Sequence, residues 1–172
     1  MNYLTVASLV LISFKASAYG NPLPGSLTLC RDDDEVYFSC VTKRLKTISL
    51  CGNSADGEIS SLTYYFGSPS NLELTQSSSQ INGFEPFRFN HYARYGTDYS
   101  RISFIRGGYK YEIYSNYDAN LDPMERSGIV VTPLINPTEE IDIGCEQKII
   151  DNITPLFSTL KCDDENALGC AK

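Results

Sequence analysis

Downstream of Cys30, apolar residues recur at every second position through most of this chain, the pattern of strands with one buried face. Val36, Phe38 and Cys40 alternate with Tyr37 and Ser39; after a polar turn from Thr42 to Lys46, Ile48 and Leu50 alternate with Ser49 and Cys51. This predicts a hairpin. Leu62, Tyr64 and Phe66 predict the next strand, stopped by Gly67 and Pro69, and Leu72 and Leu74 predict a short one. The stretch from Thr75 to Gly83 is rich in Ser, Gln, Asn and Gly and reads as a loop. Phe87, Phe89 and His91 share one face of a further strand. Ile102 and Phe104 then run into Gly107-Gly108, and Tyr109, Tyr111 and Ile113 follow. A two-residue Gly-Gly turn suits a tight hairpin because both residues can adopt positive φ. It pairs Phe104 with Tyr111 and Ile102 with Ile113, so register and hydrophobic pattern agree.

Ile129 to Leu134 and Ile141 to Ile143 predict two last strands. From Glu146 the period changes: Ile149, Ile150, Ile153, Leu156, Phe157 and Leu160 fit a helical stripe, which Pro155 kinks or divides. The expected fold is mainly β, a small antiparallel sandwich or barrel of about eight strands with a C-terminal helix.

The N-terminus carries a different signal. Leu4 to Phe14 is a short apolar run, too short to span a bilayer, and it leads into Ala16-Ser17-Ala18, a small-x-small cleavage pattern. Residues 1–18 are therefore expected to be a signal peptide, and residues 19–172 a single β-rich domain. The expected location is periplasmic or secreted, with no membrane span after cleavage. Formal charge is −7, and removal of Lys15 makes it one unit more negative. Such a chain repels nucleic acid and anionic membrane surfaces and favours cationic partners.

In an oxidising compartment, six cysteines read as three disulfides. If Phe38 and Cys40 face the core with Ile48 and Leu50, Cys51 faces outward and cannot bond Cys40. Cys30 and Cys51 lie at the same end of the hairpin, which favours Cys30–Cys51. Cys40 is then left to reach Cys145, and Cys162–Cys170 closes a small acidic loop. Zinc is disfavoured because the chain has no C-x-x-C pair and a single histidine.

Little else carries chemistry. His91 continues the Phe87/Phe89 face and reads as the polar end of a core strand rather than as a catalytic base. Asp32-Asp33-Asp34-Glu35 reads as a solvated turn. Asp118, Asn120 and Asp122 have the spacing that opens a calcium loop, but Pro123 stands where such a loop needs Gly and Ile129 where it needs a bidentate acid. They are weak metal candidates, and an ordinary turn is preferred; no cofactor is expected. Asn152-Ile153-Thr154 is a glycosylation sequon, relevant only in a eukaryotic secretory pathway. The sharper signal is aromatic. Tyr92, Tyr95, Tyr99, Tyr109, Tyr111, Tyr114 and Tyr117 crowd one stretch. Arg94, Tyr95 and Tyr99 are expected in an exposed connection, with Tyr114 facing away from the core. These four are the candidate partner-binding residues.

Phe38-Ser39-Cys40, Ser49-Leu50-Cys51, Tyr64-Tyr65-Phe66-Gly67, the run from Arg106 to Tyr114, Ser127-Gly128-Ile129-Val130-Val131 and Cys145, in that order, resemble a set of small exported cysteine-containing proteins of Gram-negative bacteria. The resemblance implies a common fold for the cysteines and the Gly-Gly hairpin and transfers no catalytic residue. The chain is also faintly similar to periplasmic lysozyme inhibitors, small disulfide-tied β proteins that place a Ser-Gly…Tyr loop in a lysozyme cleft. Ser127-Gly128 matches the start of that loop, and Ile129-Val130-Val131 lacks its aromatic. The expected function is non-enzymatic binding of an envelope protein, as in an inhibitor or immunity-type protein. The alternatives are an envelope-polymer hydrolase using paired carboxylates and a structural envelope component.

Overall fold

A computed structural model describes residues 27–171; the expected export segment lies outside the described residues. Among the described residues, ten strands form one sheet: β1 (Glu35–Thr42), β2 (Thr47–Ala55), β3 (Glu58–Ser68), β4 (Asn71–Ser79), β5 (Arg88–Arg94), β6 (Thr97–Arg106), β7 (Tyr109–Asp118), β8 (Glu125–Pro133), β9 (Ile141–Asp151) and β10 (Lys161–Cys162). Their order is β10-β5-β6-β7-β8-β9-β1-β2-β3-β4, with only β10 against β5 parallel. The alternation read from the sequence sets the register. Phe89, Ile102, Ile113, Ile129 and Ile143 stand opposite one another across five strands, and Phe38, Leu50 and Tyr64 across three more. The Gly107-Gly108 hairpin has the predicted pairing, with φ of 59° and 82° as its turn type demands.

The sheet curls until distant strands touch. Tyr64 of β3 and Phe104 of β6 bring ring centroids to 5.0 Å although five strands lie between them in the sheet. The curl remains open, with β4 and β10 as its edges. It is neither a sandwich nor a closed barrel, and it has more strands than expected.

Strand β9 holds the two halves together. Residues 141–144 pair with β8 and residues 145–151 with β1. This corrects the predicted C-terminal helix. The backbone from 145 to 151 is consumed by the free edge of β1, and the Cys40–Cys145 disulfide fixes it there. Only a 3-10 turn, Thr154–Ser158, follows, with Pro155 in its first positions. Ile153, Leu156, Phe157 and Leu160 still enter the core, where Phe157 stacks on Phe89 at 5.3 Å and on His91 at 4.8 Å. The apolar spacing thus served a turn that plugs the curl.

Two further corrections concern strands. The predicted Thr75–Gly83 loop is mostly β4, which takes the open edge of β3 and places Leu74 opposite Phe66. Its polar residues are tolerated because an edge strand has water beside it. In β1 a bulge between Val36 and Phe38 reverses the alternation, so Tyr37 joins the core and Val36 the outer surface. There Leu29, Cys30, Cys51 and Tyr65 form a second small cluster around the Cys30–Cys51 bond. Ser49 accepts the Leu29 amide at 3.0 Å and Ser39 donates to the Leu27 carbonyl at 2.9 Å, pinning this segment across the sheet. Cys162–Cys170 closes the third bridge beside β5.

Sequence separations of 105 and 8 residues give the bridges unequal weight. Loop-closure entropy assigns about 4–5 kcal/mol to the long loop and about 2–3 kcal/mol to the short one. Replacing Cys40 and Cys145 together by alanine is expected to lower the urea-unfolding free energy by about 2 kcal/mol more than replacing Cys162 and Cys170. Equal losses would mean that chain entropy does not govern them.

Candidate functional site

The outer face of β5 to β9 carries one continuous row, in which Asn90, Arg101, Tyr114, Gly128 and Gly144 stand side by side. The two glycines leave a trough and the Tyr114 ring fills it: a Cβ built on Gly128 would lie 2.9 Å from the Tyr114 hydroxyl, and one on Gly144 3.8 Å from it. The hydroxyl donates to Asp142 Oδ1 at 2.9 Å. Burial, and then this bond, push the phenol well above its ordinary pKa, so it remains a protonated donor. The Arg101 guanidinium lies 5.3 Å from the ring centroid and donates to Asn116 Oδ1 at 2.5 Å and to the Ser100 carbonyl at 2.9 Å. Tyr114 therefore faces away from the core as expected but is only 7% exposed. Its role as an exposed partner contact is corrected, because its neighbours have turned it into packing.

The other three candidates meet at one end of the sheet. Arg94 ends β5, Tyr95 and Gly96 make the turn, and Tyr99 lies within β6 rather than in a loop. Cross-strand pairing puts Tyr92 opposite Tyr99 with ring centroids 6.3 Å apart. The Arg94 guanidinium sits 5.9 Å from the Tyr92 centroid, and its Nε donates to Thr97 Oγ1 at 3.4 Å. Tyr95 itself is fully exposed. The tip is braced by the neighbouring β7–β8 connection: the Ala119 amide donates to the Gly96 carbonyl at 2.8 Å, and the Tyr99 hydroxyl donates to Asp118 Oδ2 at 2.6 Å. Exposed Tyr117, Leu121 and Met124 belong to that same connection and the strand ends flanking it.

The metal candidates are explained by this bracing. Asp118 Oδ1 accepts the Asn120 amide at 2.9 Å and its side-chain nitrogen at 3.1 Å, while Oδ2 serves Tyr99. Asp122 precedes a cis Pro123. Among the described residues, no group of three or more His, Cys, Asp or Glu is placed to hold a metal ion. The Asp34 carboxylate accepts the Arg31 amide and the Asn53 side chain, both at 3.1 Å, as in a closed turn. His91 places Nδ1 2.9 Å from the Ala171 carbonyl and Nε2 3.2 Å from Asp98 of β6, so one ring nitrogen ties the C-terminal segment to β5 and the other reaches the neighbouring strand. Ser127 and Gly128 lie buried within β8, so this pair projects no loop.

One feature has no signature in the sequence. Where β9 leaves β8 for β1, a cleft of about 860 Å³ opens between the β1–β2 turn and the start of β8. It is lined by Lys43, Arg44, Lys46 and Phe66 from one side and by Pro123, Glu125, Arg126 and Tyr114 from the other, with residues of β9 between them. It arises from pairing between segments far apart in the chain, which no local pattern records.

A Cβ on Gly128 would come 2.5 Å from the Ile143 carbonyl oxygen, whereas one on Gly144 would make only ordinary contact. Gly128→Ala is expected to cost about 1–3 kcal/mol in urea unfolding and Gly144→Ala less than about 1 kcal/mol; equal costs would remove the trough argument. The Tyr99 hydrogen bond, first among its causes, holds the Asp118 carboxyl below the usual aspartate range. Such a lowered group stabilises the tip above the unfolded-state pKa, and that contribution is lost as pH falls through the folded-state value. In a carboxyl-detected NMR titration, Tyr99→Phe should move the Asp118 midpoint up toward the ordinary aspartate value. An unmoved midpoint would show that the bond does not form in solution.

A scan against protein-family models and searches of curated proteins and of solved structures find nothing that matches this chain.

Proposed function

We propose that this chain is a non-enzymatic exported protein that docks onto a protein of the cell envelope through the Arg94–Tyr95–Tyr99 end of its sheet, in the manner of an inhibitor or immunity-type protein. The observation that carries this reading is Tyr95, wholly exposed at the tip of a hairpin that is otherwise immobilised. An aromatic side chain held out by a braced tip loses little conformational freedom on binding, and tyrosine and arginine are the side chains that most often dominate interface energy. Asp98 stands beside the tip and Asp118 holds Tyr99, and the whole chain is acidic, which suits a cationic partner. Three disulfides fit an oxidising compartment. Among the described residues no helix is long and apolar enough to cross a membrane.

The carboxyls with displaced pKa values are held by hydrogen bonds to neighbouring side chains and are not candidates for a glycosidase acid. Glu85, Asp118 and Glu125 are all pulled down, first by hydrogen bonds from Arg88, Tyr99 and Lys148 respectively. A glycosidase acid needs displacement in the opposite direction.

The test is capture from a periplasmic extract with wild-type protein and with the Arg94→Ala/Tyr95→Ala double variant as baits. A cationic protein retained by the wild type should be held about tenfold or more weakly by the double variant, with an unchanged melting temperature and a loss that grows with salt. Equal retention by both baits would place the interface elsewhere.

A further inference from the structure

We propose that the cleft at the strand switch is a second binding site, for a small amphipathic anion: an alkyl chain ending in a carboxylate or phosphate. This goes beyond the docking reading and does not depend on it. The cleft's volume of about 860 Å³ lies in the range of sites that enclose small ligands. It opens where β8 and β9, after only four paired positions, part as β9 turns to β1.

Two properties define the occupant. The first is an apolar wall. Phe66, Ile141, Ile143 and Pro123 line the cleft, and Ile141 is 60% exposed although it belongs to a paired strand. The second is a charge remainder. Four acidic side chains line the cleft and each has a partner. Lys43 faces Glu146 at 3.9 Å, Lys46 pairs with Glu73, Lys148 pairs with Glu125 at 2.8 Å, and Asp142 accepts the Tyr114 hydroxyl. Arg44 and Arg126 also line it, from opposite sides, and form no ion pair among the described residues. In a chain of net charge −7, the cleft lining is locally positive: Lys43, Arg44, Lys46, Arg126 and Lys148 stand against Glu73, Glu125, Asp142 and Glu146, five cations to four acids, a surplus of one positive charge. Guanidinium forks match the two-oxygen edge of a carboxylate or phosphate, and the wall takes the alkyl chain.

The experiment uses the mature protein with its disulfides intact and follows amide shifts and heats on titration with decanoate and with decyl phosphate, both below micelle formation. Decyltrimethylammonium, butyrate and inorganic phosphate serve as comparisons. Saturable binding of at least one decyl anion is expected, with shifts centred on Arg44, Arg126 and residues 141–146; the tighter anion identifies the headgroup. Arg44→Ala and Arg126→Ala together should weaken it about tenfold or more, as loss of a charge-assisted hydrogen bond predicts. Arg94→Ala/Tyr95→Ala should leave it unchanged, which separates this site from the docking tip. The proposal is overturned by absence of saturation with both anions, by equal binding of the decyl cation, by equal binding of butyrate or phosphate alone, or by shifts centred elsewhere.

Discussion

Strand β9 gives its first four residues to β8 and the rest of its length to β1, and the Cys40–Cys145 bond fixes the point of exchange. Without that exchange β1 and β8 would each end a separate sheet, with unpaired backbone groups along both edges. With it, ten strands become one surface, whose twist brings Tyr64 against Phe104 and closes the apolar face on itself. The remaining gap is filled by Ile153, Leu156, Phe157 and Leu160, carried in by the turn that follows β9 directly. The core, the curl and the cleft all trace back to one strand having two partners.

The same sheet sorts its tyrosines into two classes. Tyr114 lies over two glycines with its hydroxyl on Asp142 and Arg101 against its ring, so a polar outer face becomes a packed one. A buried hydroxyl is tolerated there because its hydrogen bond is made; unmade, it would cost about 1–3 kcal/mol. Tyr95 lies at a turn where no neighbouring strand supplies such cover, and it remains in solvent. Tyr95 is thus left in solvent, while the middle of the face is packed. The tip and the cleft both have rigid supports: the tip through the Tyr99–Asp118 and Gly96–Ala119 bonds, the cleft through paired strands on either side.

The acidic balance is distributed unevenly. Acids crowd the tip and the first turn, whereas the cleft is lined by five cationic and four acidic side chains, a surplus of one positive charge, with Arg44 and Arg126 outside its ion pairs. A chain with a uniform negative surface would offer one kind of partner. This one has an acidic, aromatic end and, apart from it, a cleft of net positive lining.

The alternation of apolar residues by itself determined most of the strands, and it aligned the Gly107-Gly108 hairpin residue by residue, because side-chain direction in a strand alternates with every position. The same facing argument separated Cys40 from Cys51, and the structure joins the cysteines in the pairs it favoured. What the local pattern does not hold is the identity of a strand's neighbour. Thr75 to Ser79 looks like a loop until β3 offers an edge, residues 146–151 look helical until β1 claims them, and Tyr114 looks exposed until Gly128 and Gly144 arrive beneath it. Of the candidate site, Tyr95 and Arg94 were legible because a turn keeps its residues in water, while the cleft was not. Tertiary structure decided these points because the free energy of a backbone edge or a half-covered ring depends on groups brought from distant parts of the chain, which the spacing of nearby residues cannot encode.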